Sequence, residues 1–344
     1  MSPAHWKLEA SAPRLDRFLA EQRPELARSR WEAWIREGGV RVNGEPVRKP
    51  GARLKAGDLV ETEPPEPAPP ALHLIPEALD LPTLFEDGRL WIVDKPAGMV
   101  VHPGPGHPSG TVLNALLARL EAGGWRLEAG AWSPTAGGLD ADGAEAESDD
   151  EEAPPAPWPG LVHRLDRYTT GCLCLSKDAG AQASLQAQFK ARTVEKRYLA
   201  LARDSRRLPE LGSLLVDAPI ARHRLERLRM VVTAAGRPSQ TRVKVLARSR
   251  GLALVECELL TGRTHQIRVH LRHLGAPILG DPIYAGPASW MDTDRRVWAF
   301  AHPLLHAWKL ALDHPSDGRR VAVQSALPDP FIEALKVMGF AVPE

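Results

Sequence analysis

A proline-rich segment divides this chain of 344 residues into two parts of unequal length. The segment reads Pro64-Pro65-Glu66-Pro67-Ala68-Pro69-Pro70, and proline at this density favours extended, semi-rigid backbone over a helix or a paired strand. We therefore expect a compact unit on each side of it. The expected organisation is a small domain at 1–62, a linker at 63–80, a large domain at 81–330 and a C-terminal tail at 331–344.

The small unit shows the spacing of two short helices and a tight hairpin. Apolar side chains recur at positions i, i+3 and i+4 from Leu15 and again from Trp31, with Ser29 as the predicted cap of the second helix. Residues 40–47 then alternate apolar and polar positions around Asn43-Gly44. This dipeptide is the one that best supplies the positive φ angles of a hairpin turn.

The charge of the chain is unevenly distributed. The formal net charge is only +1, but eight acidic residues lie between positions 140 and 152: Asp140, Asp142, Glu145, Glu147, Asp149, Asp150, Glu151 and Glu152. Without them the chain carries about +9, which is compatible with binding to RNA phosphates. Because this composition buries little apolar surface, we expect residues 122–159 to form a disordered insertion.

Several classes of protein are not supported by the sequence. The first residues do not resemble a secretory signal and no long apolar run is present, so we expect a cytoplasmic protein. Cysteine and histidine residues do not occur at metal-ligand spacing. Gly104-Pro105-Gly106 lacks the lysine and the helix of a phosphate-binding loop. We expect neither a metal nor a small-molecule cofactor.

Two segments of the large unit combine charged side chains with turn residues. They are His163-Arg164-Leu165-Asp166-Arg167-Tyr168-Thr169-Thr170-Gly171 and Thr261-Gly262-Arg263-Thr264-His265-Gln266-Ile267-Arg268-Val269-His270. In isolation, an aspartate between arginines is usually a surface ion pair of little energetic value. Together, and with Gly280-Asp281-Pro282-Ile283-Tyr284 and Leu305-His306-Ala307 further along the chain, they resemble the RluA family of pseudouridine synthases, which isomerise uridine within structured RNA.

This resemblance implies a fold for each unit. The large unit would have an α+β pseudouridine synthase fold, with a central mixed, mostly antiparallel sheet flanked by helices. The small unit is similar to the S4 RNA-binding domain, a small α/β module, through Arg14-Leu15-Asp16-Arg17, Val42-Asn43-Gly44 and Gly57-Asp58. Basic side chains of such a module would contact phosphates and position the protein without reading sequence. The candidates are Arg14, Arg17, Arg30 and Arg41.

The implied reaction detaches uracil from ribose C1′ and rejoins it through C5, with no net gain or loss of electrons. A sugar carbon that develops oxocarbenium character favours a nearby ionised carboxylate, and Asp166 is the candidate by motif match. Burial raises the pKa of a carboxylate whereas an adjacent arginine lowers it, so the carboxylate needs an ion-pair partner. The resemblance identifies this partner as Arg268, which could grip the carboxylate through its guanidinium.

The resemblance also implies roles for other residues. Tyr198 corresponds to the active-site tyrosine of the family, whose ring can stack on uracil and whose hydroxyl can help remove the C5 proton. Arg164 matches an arginine that helps displace the target nucleotide from its stack. We expect His163 to hold the motif loop together. Further candidates for contact with substrate or RNA are Arg167, Thr169, Thr170, Arg263, His265 and Gln266; at Thr170 the family usually has serine, which shares the hydroxyl.

We therefore predict a monomeric RNA pseudouridine synthase that acts on large-subunit ribosomal RNA, with 23S rRNA or a ribosomal precursor particle as its partner and no contact with a membrane. Two alternatives stay open from the sequence. One is an RNA-binding ribosome-assembly factor that has the fold without turnover. The other is the same chemistry on transfer RNA.

Overall fold

The computed structural model describes residues 4–9, 11–12, 14–23, 28–63, 75–104, 106–128, 131–134, 160–210, 212–226, 228–285, 289–291 and 295–343. The chain forms two compact units, Met1–His73 and Leu74–Glu344, so the division falls inside the expected linker. The proline-rich segment 64–70 and the acidic run 140–152 lie outside the described residues. Within the described ranges, no helix has the length and apolar character needed to cross a bilayer.

The first unit is a four-stranded antiparallel sheet with two helices. Its elements are β1 (Ala4–Lys7), α1 (Leu15–Gln22), α2 (Arg28–Glu37), β2 (Val40–Val42), β3 (Glu45–Pro46) and β4 (Leu59–Thr62), and the strand order is β1-β4-β2-β3. Strands β2 and β3 are joined by Asn43 and Gly44, with φ angles of 54° and 82°. Both angles are positive, as a type I′ turn requires, so the predicted hairpin is confirmed.

Two details of this unit differ from the prediction. Helix α2 already includes Arg28, so Ser29 lies inside the helix and is not its cap. The apolar stripe beginning at Trp31 determines which face of the helix is buried, but it does not determine the first helical residue. Strand β1 was not predicted, because its four residues alternate only between half-buried and exposed positions before pairing with β4.

The second unit is built around one nine-stranded sheet. Its elements are β5 (Thr83–Glu86), β6 (Leu90–Lys95), α3 (Val112–Ala122), β7 (Trp125–Glu128), β8 (Ala131–Pro134), β9 (Thr170–Ser176), α4 (Ala179–Ala191), β10 (Glu195–Arg203), β11 (Ser213–Asp217), β12 (Ile220–Arg222), β13 (Met230–Val232), β14 (Gln240–Ser249), β15 (Leu252–Leu259), α5 (Gln266–His273), β16 (Ser289–Met291), β17 (Val297–Ala299), β18 (Leu305–Asp313), β19 (Arg320–Gln324) and α6 (Asp329–Val337).

The order of the large sheet is β11-β14-β15-β10-β18-β9-β6-β5, with β19 also paired to β18. Strands β9 and β18 run parallel, while the other neighbouring pairs of this sheet are antiparallel. The α+β class with a mixed, mostly antiparallel sheet is therefore confirmed. Apolar side chains from β9, β10 and β15 are buried almost without interruption, as expected for the centre of a covered sheet.

Two segments expected to be irregular contain regular structure. Residues 331–344 were expected to form a tail, but helix α6 extends to Val337 and buries Phe331 and Leu335 in the core. These side chains follow the spacing of an amphipathic helix, which the expectation overlooked. Residues 122–159 were expected to be disordered, but β7 and β8 pair as a hairpin between Trp125 and Pro134. The acidic composition used for that expectation begins only after this hairpin.

The sheet brings the two motif segments to a common place. The Asp166 segment leads directly into β9, and α5 follows β15 after a short loop. Gly171 has a φ of 105°, and a Cβ built there would lie 2.2 Å from the Ala307 carbonyl oxygen on β18. Glycine is therefore required for β9 and β18 to approach each other where the motif loop ends.

Candidate active site

Asp166 lies on a tight turn immediately before β9. The Thr169 amide donates to the Asp166 carbonyl oxygen at 3.1 Å, which closes the turn. The Asp166 side chain is 28% exposed, so its carboxylate is accessible from outside the protein. Short polar turns of this kind, packed on a rigid sheet, are where proteins commonly place reactive side chains.

Arg268 connects this turn to helix α5. Its Nη1 donates to Asp166 Oδ2 at 2.9 Å, and its Nε and Nη2 donate to Asp281 at 2.7 and 2.9 Å. Burial acts to lower the pKa of Arg268, but the hydrogen bonds and negative charges of Asp281 and Asp166 raise it above the ordinary value. The guanidinium is therefore a permanent cation beside Asp166.

Tyr198 lies on β10, opposite Cys257 of β15 and Ala307 of β18. It is 7% exposed, and burial, followed by the nearby charge of Asp166, raises its pKa above the ordinary value. The phenol is consequently uncharged at neutral pH. A role in removing a proton would require the hydroxyl to pass its own proton on as it accepts one.

His265 begins helix α5 in a left-handed conformation with φ of 57°. Its Nε2 lies 3.8 Å from Asp166 Oδ2, and its Nδ1 lies 2.9 Å from the Tyr284 hydroxyl. Burial is the main cause that lowers the pKa of His265, which favours the neutral ring at pH 7. The histidine thus lies beside Asp166 without adding a permanent second positive charge.

Gln266 braces the loop that carries Arg263 and His265. Its Oε1 accepts from the Thr261 hydroxyl at 2.7 Å and from the Arg263 amide at 3.0 Å. Its Nε2 donates to the Gln240 carbonyl oxygen and to the Thr241 hydroxyl, both at 2.9 Å. Because both the oxygen and the nitrogen of its side-chain amide are hydrogen-bonded, Gln266 has a fixed orientation and helps to define the shape of the cleft.

Most of the predicted site residues line one small cleft of about 60 Å³. The predicted residues that line it are Arg164, Asp166, Thr169, Tyr198, Arg263, His265, Gln266 and Arg268. A larger cavity of about 870 Å³ lies beside it and shares Leu305 with its wall, but α6 and residues 298–305 give it a mainly apolar lining. We assign the site to the smaller cleft because the ionisable side chains converge there.

Three predicted residues support the cleft from outside it. His163 accepts a hydrogen bond from the Cys174 amide at 2.9 Å, and burial lowers its pKa to about 3, so it is neutral. The Thr170 hydroxyl lies 2.7 Å from His306 Nδ1 on β18. Arg167 donates to the Gly98 carbonyl oxygen at 3.0 Å. These contacts join the motif loop to its neighbours.

Neither arginine that flanks Asp166 in sequence is its ion-pair partner. Arg167 is directed to Gly98, and Arg164 donates to the Thr264 hydroxyl at 2.6 Å. The partner instead comes from more than a hundred positions further along the chain. The carboxylate is therefore paired by the fold and not by adjacent sequence.

Sequence reasoning missed the roles of Lys95 and Asp281. Lys95 is fully buried, and its Nζ donates to the carbonyl oxygens of Pro96, Met99 and Arg167 at 2.8–2.9 Å, which connects β6 to the Asp166 turn. Burial lowers the pKa of Lys95 to about 7, although the Asp166 charge opposes this. Asp281 stood in a recognised motif, but only the fold reveals its contact with Arg268.

The basic residues predicted for the first unit have varied surroundings. Arg14 donates to the buried carboxylate of Asp16 through two nitrogens, and Arg17 pairs with Glu21. Arg41 donates to the Gly44 carbonyl oxygen at 3.5 Å. The side chain of Arg30 lies outside the described residues. The contact of these side chains with RNA stays a prediction.

No group of three histidine, cysteine, aspartate or glutamate side chains in the described part of the chain is arranged to hold a metal ion. What the cleft offers chemically is an accessible carboxylate, a permanent cation bound to it, a neutral phenol and a neutral imidazole. This set suits chemistry at a carbon that becomes positively charged.

The comparisons with known proteins agree with one another on the family of the relatives. A family model described as RNA pseudouridylate synthase matches residues 89–273, and an S4 domain model matches residues 13–60. An uncharacterized RNA pseudouridine synthase of Bacillus subtilis, YlyB, is 36% identical over 95% of this chain and 95% of its own. The ribosomal large subunit pseudouridine synthase D of Xanthomonas campestris is 36% identical over 93% of this chain and 87% of its own.

Solved structures support the same relationship. The human RNA pseudouridylate synthase domain containing 4 protein superimposes with a TM-score of 0.51 at 25% identity. The match covers 76% of this chain and 95% of the human chain. The family model itself, at residues 89–273, includes both motif segments.

Proposed function

The chain belongs to the RNA pseudouridylate synthase family and carries an S4 domain, and from this premise we propose that it isomerises specific uridines in large-subunit ribosomal RNA. The protein is an isomerase that acts on RNA. Several relatives named ribosomal large subunit pseudouridine synthase D support the ribosomal substrate. The observation that carries the assignment of the site is the 2.9 Å hydrogen bond between Arg268 Nη1 and Asp166 Oδ2 at the edge of the cleft.

In the proposed mechanism, Asp166 is the reactive carboxylate. The bond between uracil N1 and ribose C1′ breaks, and negative charge close to C1′ stabilises the sugar as it becomes cationic. Arg268 Nη1 donates to Asp166 Oδ2 at 2.9 Å and holds the carboxylate in place in its partly buried setting. The freed ring turns, and its C5 forms the new bond to C1′.

The reaction then ends with proton transfers that restore the ring. C5 loses its proton, and the ring nitrogen released from the sugar carries one in the product. Tyr198 is the proposed group beside C5, because it lines the same cleft as Asp166 and carries an uncharged hydroxyl. A phenol can take up a proton only if it gives one away in the same step, so we propose that it works together with a neighbouring acceptor or with water.

Base extrusion must come before this chemistry, because C1′ of a stacked nucleotide is not accessible to a carboxylate in a cleft. We propose that Arg164 assists this step. It lines the cleft and is itself exposed, and its bond to Thr264 holds it beside the entrance. The S4 domain would add phosphate contacts that position the RNA without selecting the base.

Mapping pseudouridine in ribosomal RNA tests the proposed function. A strain that lacks this protein should lose pseudouridine at one or a few positions of 23S rRNA. The parent gene should restore these modifications, and a gene carrying Asp166→Asn should not. Loss confined to transfer RNA would contradict the ribosomal assignment. Unchanged modification in every RNA, together with an inactive purified protein, would favour an assembly factor instead.

We also propose that the protein acts as a monomer in the cytoplasm, in contact with 23S rRNA or a precursor particle. This location follows from the proposed substrate. Light scattering coupled to size-exclusion chromatography should give the mass of one chain, and a dimer mass would contradict the proposal. Fractionation of cells should recover the protein in the cytoplasmic fraction together with ribosomal particles.

A further inference from the structure

The guanidinium of Arg268 is shared between two carboxylates. Its Nε donates to Asp281 Oδ2 at 2.7 Å and its Nη2 donates to Asp281 Oδ1 at 2.9 Å. Only Nη1 is directed to Asp166, where it reaches Oδ2 at 2.9 Å. Because the guanidinium is planar, two bonds to Asp281 determine the direction of its third nitrogen.

The position of Asp281 is itself determined by the backbone. Its Oδ1 also accepts from the amides of Ile283 and Tyr284 at 3.0 and 3.2 Å, and its side chain has no exposed surface. The preceding Gly280 has a φ of 74°, and a Cβ built there would lie 2.1 Å from the His302 carbonyl oxygen. The turn that carries Asp281 is therefore packed closely against residues 300–302.

We propose that Asp281 is a positioning residue for the isomerisation, because it directs one nitrogen of Arg268 at Asp166 and takes up part of the arginine's charge. This inference rests on the roles proposed above for Asp166 and Arg268. In this arrangement Arg268 binds one oxygen of Asp166, and the second oxygen, Oδ1, is outside that contact. One oxygen of the carboxylate is held by the cation while the other is left to face the nucleoside.

Removing the negative charge at position 281 would change this arrangement in two ways. The guanidinium could rotate and bind both oxygens of Asp166, as arginine commonly does with a single carboxylate. Its full positive charge would then act on Asp166 alone and make that carboxylate a weaker nucleophile and a weaker stabiliser of positive charge at C1′. Both changes reduce the rate of reaction without removing contacts to the RNA.

The substitution Asp281→Asn tests the proposal with little change of volume. An asparagine oxygen can still accept from the backbone amides of Ile283 and Tyr284, but its NH₂ group cannot accept from Arg268 Nε. We expect kcat to fall by about 100-fold, the loss typical of a misplaced catalytic group, while KM for the RNA changes by less than about threefold.

A matched control separates this effect from a loss of stability. Asp178 binds Arg89 at 2.8 Å, accepts from the Ala181 amide and is largely buried, and it lies outside the cleft. The substitution Asp178→Asn therefore makes the same chemical change in a similar setting. We expect it to lower the melting temperature while leaving kcat within about twofold of the parent value, as expected for a site that only stabilises the fold.

A double-mutant cycle provides a readout that a purely structural role would not produce. If Asp281 acts through Arg268, Asp281→Asn should cost less than about threefold in kcat when Arg268 is already glutamine, because the two residues act as one unit. If the two losses multiply, Asp281 does not act through Arg268 and the inference is overturned. If Asp281→Asn does not fold, Asp281→Glu keeps the charge and displaces the carboxylate by one methylene group; it should lower kcat at least about tenfold.

The outcomes distinguish this inference from the proposed function. A parent protein that forms no pseudouridine on any RNA overturns the proposed function and the role of Asp281 with it. An active parent with parental kcat in folded Asp281→Asn, or in Asp281→Glu where that variant replaces it, overturns the inference alone. A loss confined to KM also overturns it, because Asp281 would then act in RNA binding.

Discussion

Arg14 and Arg268 each bind a buried aspartate through Nε and Nη2, but the surroundings of their remaining nitrogen, Nη1, differ. Arg14 donates Nε and Nη2 to Asp16 at 2.9 and 2.8 Å, and Arg268 donates the same two nitrogens to Asp281 at 2.7 and 2.9 Å. Both aspartates have no exposed surface. The arginines differ, because Arg14 is 46% exposed and Arg268 is 6% exposed.

A buried arginine–aspartate pair therefore does not by itself mark a site of chemistry. In the first unit the pair fastens the start of helix α1, and water can solvate the rest of the arginine. In the second unit the rest of the arginine reaches a second carboxylate that is 28% exposed, Asp166. The accessible carboxylate at the end of this chain of contacts is the feature from which we infer chemistry at Arg268 and only a structural role at Arg14.

The largest effect on activity should come from removing the negative charge of Asp166, the accessible carboxylate that binds Arg268. Asp166→Asn should lower kcat/KM by at least about 10³-fold, because the variant cannot stabilise a cationic sugar carbon. The melting temperature should change by only a few degrees, since Asp166 is partly exposed. Steady-state assays with a ribosomal RNA fragment measure the first effect and calorimetry the second. A loss of less than tenfold would contradict the comparison.

The next largest effect on activity should come from replacing the guanidinium of Arg268 by a cation of another shape. Lysine at position 268 cannot bind Asp281 and Asp166 at once through a planar fork, so Arg268→Lys should lower kcat by about 100-fold. The equivalent Arg14→Lys should leave kcat within about twofold, because Arg14 lies outside the cleft. Equal losses in both variants would show that the two arginines do not differ as described.

Lys95 is a third cation and is buried, but it binds carbonyl oxygens and not a carboxylate. The charge of Asp166 is close enough to act on it without a hydrogen bond between the two side chains. The pKa of Lys95, about 7 in the folded protein, lies below the ordinary value of 10.5, so the unfolded chain binds more protons between these two pH values. The free energy of unfolding of the parent relative to that of Lys95→Met should therefore rise with pH, by about 2 kcal/mol between pH 7 and pH 9. Denaturant titrations of both proteins at the two pH values measure this difference. An equal pH dependence in both proteins would contradict it.

The smallest effect should come from the pair in the first unit. Asp16→Asn should lower the free energy of unfolding of that unit by about 1 kcal/mol, because the half-exposed Arg14 regains contact with water once the pair is broken. Turnover at saturating RNA should be unchanged. Denaturant titration and a saturation assay check the two parts. A fall in kcat comparable to that of Arg268→Lys would overturn the structural reading of this pair.

The sequence was sufficient to predict the parts of the fold that depend on local pattern. Helices α1 and α2 contain the predicted apolar stripes that begin at Leu15 and Trp31, and strands β2 and β3 turn at the predicted Asn43-Gly44. These predictions rest on a repeating apolar stripe or on a turn dipeptide, and both signals depend on nearby residues alone. Strand β1 and helix α6 were missed because short strands and terminal helices carry weaker signals.

The sequence predicted those residues of the candidate site that lie in motifs shared with the family. Asp166, Tyr198 and Arg268 were named in advance, and the fold brings them to one cleft. Asp281 and Lys95 could not be assigned roles, because their contacts depend on tertiary packing. Arg164 and Arg167 flank Asp166 in the sequence, but their side chains donate to Thr264 and Gly98 and not to Asp166.

The most direct test uses the target RNA with 5-fluorouridine at the modified position. Fluorine cannot leave C5 as a proton does, so the reaction should stop once the ring has been detached from C1′ and rejoined through C5. Digestion followed by mass spectrometry and chromatography identifies the rearranged fluorinated nucleoside. We expect this product from the parent and from Asp178→Asn, and unchanged 5-fluorouridine from Asp166→Asn. The same rearranged product from Asp166→Asn would contradict the claim that this carboxylate breaks the glycosidic bond.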